Sequence, residues 1–327
     1  MSFLSRGTSP SARRTLITAS VVLLFLIAAP FAVSNYWLRI LTNILMFAIV
    51  AQGLNIIVGY TGYHAFGNSV FFGLGAYSTG VGMAVGLPFV LALVLAIIVA
   101  IVAAVVFGWP VLRLSGHYFA IATVALNMAM LEIIINVGGI TGGAAGLALP
   151  LSRLGPDTLY KMIYFLMLTV TVGVTGFILW LDGTRFGYAL RALRDSEAGA
   201  EVMGINTTAV KITSWALSGS FTALAGGIWA YWFTFIEPGS AFDINVSIKG
   251  YVMMLMGGMG TVFGPLIGAA FLELLATLVW GNFLKIHLLI LGLLIVLVVT
   301  FMPRGLLHYF KAWTAVRWRK GPTDGSA

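Results

Sequence analysis

"LALVLAIIVAIVAAVVFGW", residues 91–109, decides the fold, because it contains no charged side chain. A helix of about 20 apolar residues crosses the ~30 Å hydrocarbon core of a bilayer. A second run, "HLLILGLLIVLVVTFM" at 287–302, has the same character. The whole chain agrees with these two stretches: 60% of its 327 residues are hydrophobic, 9% are charged, and the mean hydropathy is +1.02. A soluble domain is far less apolar. The alternating pattern of barrel strands is missing, so helices are the elements that can satisfy their backbone inside lipid. The chain reads as all-α, a polytopic integral membrane protein forming one transmembrane domain over 1–327 with glycine-rich broken segments.

Ten apolar segments are predicted, at 15–33, 38–59, 68–86, 88–108, 117–137, 160–181, 212–235, 247–263, 264–281 and 286–303. The third, eighth and ninth are the weakest, and eight to ten spans is the range, with ten favoured. Arg13 and Arg14 precede the first segment in a way that resembles a signal sequence, but its length suits an uncleaved first span. With the N-terminus inside, Arg6, Arg13, Arg14, Arg113, Arg185, Arg191, Arg194, Lys211 and the basic residues from Arg304 onward lie on the inner side. Only Arg39, Arg153, Lys161, Lys249 and Lys285 lie outside. The positive-inside rule then places both termini, a loop at 182–211 and a tail at 304–327 in the cytoplasm. A net charge of +8 gathered at span ends suits anionic lipid headgroups, not nucleic acid.

Several chemistries are absent from the sequence. The chain has no cysteine, its four histidines are scattered, and no metal-ligand spacing occurs. There is no Gly-Lys pair, hence no phosphate loop, and neither His-Glu-x-x-His nor Gly-x-Ser-x-Gly is present. No enzymatic site is expected, and any nucleotide-driven step belongs to another polypeptide. Of the ionisable residues, Glu132 and Glu273 read as deep in the membrane, with Asn55, Asn127 and Asn136 as polar companions. Ala92, Ala96, Ala100, Ala104 and Gly108 form one stripe of small residues; Ser214, Ser218, Thr222, Gly226 and Ala230 form another. Both are expected to be helix-packing faces.

Two glycine-rich breaks interrupt the apolar pattern: "GYTGYHAFGNSVFFGLGAYSTG" at 59–80 and "GGMGTVFGPLIGA" at 257–269. Broken helix is tolerated at membrane depth where protein or a water-filled cavity satisfies the backbone, and one break in each half marks the path in transporters. Gly62, Gly67, Phe71, Gly73 and Gly75, with Gly257, Gly258, Gly260 and Gly264, are therefore the path candidates. Gly59, Gly62, Phe66 and Gly67 loosely echo Gly257, Gly260, Phe263 and Gly264, which suits either duplicated halves or two independent turns. The loop "GGITGGAAGLALP" at 138–150, with Thr141, Gly142 and Gly143, is expected to be a flexible outer rim.

The stretch "GTRFGYALRALRDSEAGAEVMGIN" at 183–206 gathers charge in a chain that otherwise avoids it. As one helix over 186–203 it turns Phe186, Leu190 and Leu193 to one side, and Arg191, Arg194, Glu197 and Glu201 to the other. Arg191 can pair with Asp195 and Arg194 with Glu197, and Gly204 supplies a left-handed stop. A solvated loop helix or a docking helix both fit.

Five motifs in order resemble the permease subunits of bacterial ATP-binding-cassette importers for branched-chain amino acids, a family shared with urea and amide permeases. They are "GYHAFGNSVFFGLGAY" from Gly62, "RLSGHYFAIAT" from Arg113, "TGGAAGL" from Thr141, "GGMGTVFGPLIGA" from Gly257 and "MPRGL" from Met302. Tyr63, Ala65 and Asn68 stand where the family commonly has Gln, Ser and His. "RALRDSEAGAEVMGIN" resembles the family's coupling motif, which implies that Arg191, Arg194, Glu197, Ala198, Ala200, Glu201 and Gly204 dock in a cleft of an ATPase. The resemblance further implies alternating access at the inner membrane, a second homologous permease, a periplasmic substrate-binding protein, and ATP with Mg held by the partner. This chain would need no cofactor of its own. An ion-coupled secondary transporter is the rival reading, disfavoured by the scarcity of deep carboxylates.

Overall fold

A computed structural model describes residues 10–150 and 155–282, with Gly292 besides. The chain is helical: α1 (Pro10–Ala32), α2 (Asn35–Leu54), α3 (Ser69–Ala84), α4 (Phe89–Val111), α5 (His117–Asn136), the short α6 (Gly138–Thr141), and α7 (Pro156–Asp182). Then come α8 (Arg185–Asp195), α9 (Glu197–Val202), α10 (Thr207–Phe233), the short α11 (Pro238–Ala241), α12 (Ile244–Gly257) and α13 (Gly264–Asn282). Two-residue strands β1 (Leu147–Ala148) and β2 (Phe235–Ile236) pair antiparallel at one end of the bundle. Each of the first nine predicted segments coincides with a helix; the tenth, and the tail at 304–327, lie outside the described residues.

Among the described residues, four helices are long and apolar enough to cross a membrane by themselves: 35–60, 89–111, 117–136 and 156–182. The first of these continues α2 through a wide helical turn, Asn55–Tyr60. Two of the three segments read as weakest are short for a physical reason. α3 has 16 residues and α12 has 14, which at 1.5 Å per residue make about 24 and 21 Å of helix, less than the ~30 Å of hydrocarbon. α3 starts late because 61–68 is irregular, and Asn68 meets Ser218 and Thr222 near the middle of α10.

α2, α3 and α10 form the centre. α10 packs on α3, α4 and α2, while α12 and α13 pack together against α2 and α7 closes another side of it. Both small-residue stripes are packing faces: Ala92, Ala96, Ala100 and Ala104 are buried, as are Ser214, Ser218, Thr222 and Ala230. The approach of α3 to α10 is so close that a Cβ on Gly75 would stand 2.1 Å from the Ala223 carbonyl oxygen, and one on Gly226 2.1 Å from that of Phe72. Apart from glycine, no residue lets these backbones meet.

Two sequence expectations change, those for Glu132 and for the 138–150 loop, while Glu273 is buried as expected. Glu132 is exposed on α5, one turn from its end, and Asn136 donates to its backbone carbonyl at 2.8 Å. Periodicity gives no depth of burial on a helix with a wide outward face. Glu273 is buried, 7% exposed, and its carboxylate accepts from Asn43 at 2.5 Å and pairs with Lys249 at 3.3 Å. The 138–150 loop is built, not slack: the Thr141 hydroxyl donates to the Ile134 and Val137 carbonyls and accepts from Gly143 N at 3.2 Å, and β1 ties to β2.

Candidate functional site

The charged stretch lies at the opposite end of the bundle from the strand pair. It is two helices, not the single one predicted over 186–203. Thr184 caps α8 by accepting from Gly187 N at 3.2 Å, and Ser196 ends it with extended dihedrals, φ −163° and ψ 118°. The Ser196 hydroxyl then accepts from Gly199 N at 3.1 Å and so starts α9. A serine inside an amphipathic pattern is a break when its oxygen finds an amide three residues on. At the far side Gly204, at φ +80°, closes α9, and Ile205 N donates to the Ala200 carbonyl at 3.0 Å.

Leu190 and Leu193, 0% and 3% exposed, press into the membrane domain, with Phe186 half-buried beside them. The charged side chains do not pair along the helix as expected. Arg191 reaches back to the Asp182 carboxylate and to its backbone carbonyl, the latter at 2.8 Å. Arg194 Nη1 donates to the Gly59 carbonyl at 2.8 Å. Glu197 accepts from Lys211 Nζ and from the Tyr63 hydroxyl, and Glu201 accepts from Thr207 Oγ1 at 2.8 Å. Lys211, 8% exposed, is an ion that needs this partner. Burial pushes the Glu197 carboxyl up, but hydrogen bonds from Lys211 and Tyr63 outweigh it and hold the group below the usual carboxylate range.

Arg194 meets the point where the two glycine breaks touch. A Cβ on Gly59 would lie 2.7 Å from Gly260 N, and one on Gly260 would lie 2.8 Å from Arg194 Nη1. Asn55, fully buried, joins the breaks: its Oδ1 accepts from Gly260 N at 2.8 Å and its Nδ2 donates to the Thr261 carbonyl at 2.9 Å. Charge-assisted bonds to carbonyls and paired amide bonds are directional, so these contacts fix the position of α8 against both breaks.

Further into the bundle the first break is held by side chains from three helices, α5, α10 and α12. Gly67 N donates to Thr123 Oγ1 at 3.2 Å, Asn68 Nδ2 to Thr222 Oγ1 at 2.9 Å, and Ser69 N to Ser247 Oγ at 2.5 Å. The Ser69 hydroxyl donates to Asn127, whose amide donates to the Phe242 carbonyl at 2.7 Å. Most of the remaining path candidates sit in tight contacts. Gly67 faces the Thr123 backbone, Gly73 the Phe242 ring, and Gly257 and Gly264 the backbone of their own turn; Gly62 lies against Arg194, and Gly258 caps α12. Phe71 is buried edge-on against Trp215. Thr141, Gly142 and Gly143 are at the other end of the bundle, in the loop that follows α5.

The sequence reading passed over Val202 and Met203, which are 87% and 81% exposed beside the exposed Ala198 and Glu201. The signal was an apolar pair closing a charged helix, exposed among the described residues. Tyr63 and Lys211 were also missed, since neither lies in the charged stretch.

A family model described as "branched-chain amino acid transport system / permease component" matches residues 36–299. The chain is 30% identical over 313 residues to the high-affinity branched-chain amino acid transport system permease protein LivM of Salmonella typhimurium, covering 88% of this chain and 73% of that one. The LivM protein of Escherichia coli K12 gives the same identity and coverage. The autoinducer 2 import system permease protein LsrC of Escherichia coli O9:H4 is 31% identical over 170 residues, 47% of this chain and 49% of its own.

Proposed function

Because this chain belongs to the branched-chain amino acid transport system permease component family, we propose that it moves branched-chain amino acids, or a related small amino acid or amide, across the inner membrane by alternating access. A separate ATPase that binds ATP and Mg supplies the energy, a second homologous permease completes the path, and a periplasmic binding protein delivers the solute. Residues 182–211 are the cytoplasmic coupling loop and 304–327 a cytoplasmic tail.

The observation that carries this reading is the Arg194 contact with Gly59 at the junction of both breaks. In this reading the outer surface of α9, with Ala198, Glu201, Val202 and Met203, receives the ATPase, while Ala200 and Gly204 shape the helix. Arg191, Arg194 and Glu197 transmit its displacement inward. The glycines act as close-packed joints about which helix groups move, which suits rigid-body switching between two packings. The ion-coupled alternative loses support because Glu273 is committed to Asn43 and Lys249.

Met203→Asp with Glu201→Lys, in the importer reconstituted with its ATPase, tests the docking face. Uptake falls at least tenfold while the permease inserts and melts as before. Undiminished ATP-dependent uptake by the double variant overturns the assignment of α9.

A further inference from the structure

A cavity of about 240 Å³ opens where the end of α4 meets the start of α10, lined by Gly108, Trp109, Leu112, Arg113, Thr208 and Lys211. At ~30 Å³ per water this is the space of about eight waters. Its charge is one-sided. Lys211 is matched by Glu197, but no carboxylate among the described residues pairs with Arg113, whose guanidinium lies 3.8 Å over the Trp109 ring. Trp109 and Arg113 are exposed at the end of an apolar span, the arrangement of a membrane–water boundary. Val102, Val105 and Val106 continue the Trp109 face along α4, and all are exposed.

We propose that this cavity holds the headgroup of an anionic phospholipid. Arg113 is its principal cation, the Thr208 hydroxyl and Lys211 are further donors, and the acyl chains lie along the Val102, Val105 and Val106 face. A headgroup phosphate matches the unpaired guanidinium, and the adjoining valine face fits a lipid and not a free ion. Lys211 then touches both the phosphate and the Glu197 carboxylate, so the lipid bears on how α9 is held.

The test is native mass spectrometry of the full chain released from nanodiscs of phosphatidylcholine alone or mixed with phosphatidylglycerol. Phosphatidylglycerol is retained in preference, and Arg113→Gln lowers that retention about fivefold, the worth of one basic residue at a membrane surface. Arg185→Gln, at an exposed arginine outside the cavity, leaves it unchanged, and Arg113→Lys keeps most of it if the glutamine variant does not fold. Equal retention of the two lipids, an equal loss in Arg185→Gln, or full protection by inorganic phosphate in phosphatidylcholine alone each overturns the proposal.

Discussion

Between α12 and α13 the chain turns within 258–263, and Thr261 completes the turn locally: its hydroxyl donates to the Gly258 carbonyl at 2.7 Å and accepts from Gly264 N at 3.1 Å. Between α2 and α3 it runs through a wide turn and the irregular 61–68 before α3 begins midway along α10. There the polar groups are met by Thr123, Thr222 and Ser247 from three other helices. Two glycine-rich stretches are thus built differently, one a corner closed largely by its own Thr261 and the other an excursion held by its surroundings. A corner moves as a unit; an excursion moves only if its neighbours do. Asn55 and Arg194 lock the two together where they meet.

The sharpest way to break the contrast is at the excursion. Gly67→Ala places a Cβ 1.8 Å from the Thr123 carbonyl oxygen, and the overpacking costs about 3 kcal/mol or more, seen as loss of monodisperse protein in detergent. Asn55→Leu leaves Gly260 N and the Thr261 carbonyl without their partner, which costs about 2 kcal/mol in denaturant melts and uncouples the breaks in hydrogen exchange. Arg194→Gln shortens the reach to Gly59 and costs about 1 kcal/mol of stability. Its larger effect is a fall in uptake per ATP hydrolysed in the reconstituted importer.

Glu197 gives a pH signature. Its carboxyl is depressed in the folded state, so its stabilisation is present at neutral pH and is lost as pH falls through that depressed value, below the ordinary carboxylate pKa of about 4. Hydrogen exchange in α9 should therefore hold steady on mild acidification and rise only in strong acid, while Glu197→Gln raises it at neutral pH. The smallest effect is at the far end, where Thr141→Val removes the hydroxyl that ties the loop to α5. It costs about 1 kcal/mol and leaves exchange in α9 unchanged.

Much of this was legible in the residues. The apolar runs within the described residues fall on helices, the small-residue stripes on packing faces, and Leu190, Leu193 and Gly204 at their expected places on the charged stretch. The break at Ser196 was not legible, because a serine in a helical pattern becomes a cap only when the next turn is free to start from it. The pairing of Arg191 and Arg194 was misread for a related reason. A helix neighbour at three or four residues offers ~0.2 to 0.5 kcal/mol, and a carbonyl or carboxylate on the membrane domain offers more.

What the sequence by itself determined is a helical membrane protein with two glycine breaks and one charged segment, because hydropathy and glycine content act through the chain's immediate solvent and its own backbone. Tertiary structure alone decided that the breaks touch and that the charged segment grips them. Arg194 and Gly59 are 135 residues apart and Asn55 and Gly260 are 205 apart. Bonds across such separations form only after the helices between them have packed, so no local pattern of residues contains them.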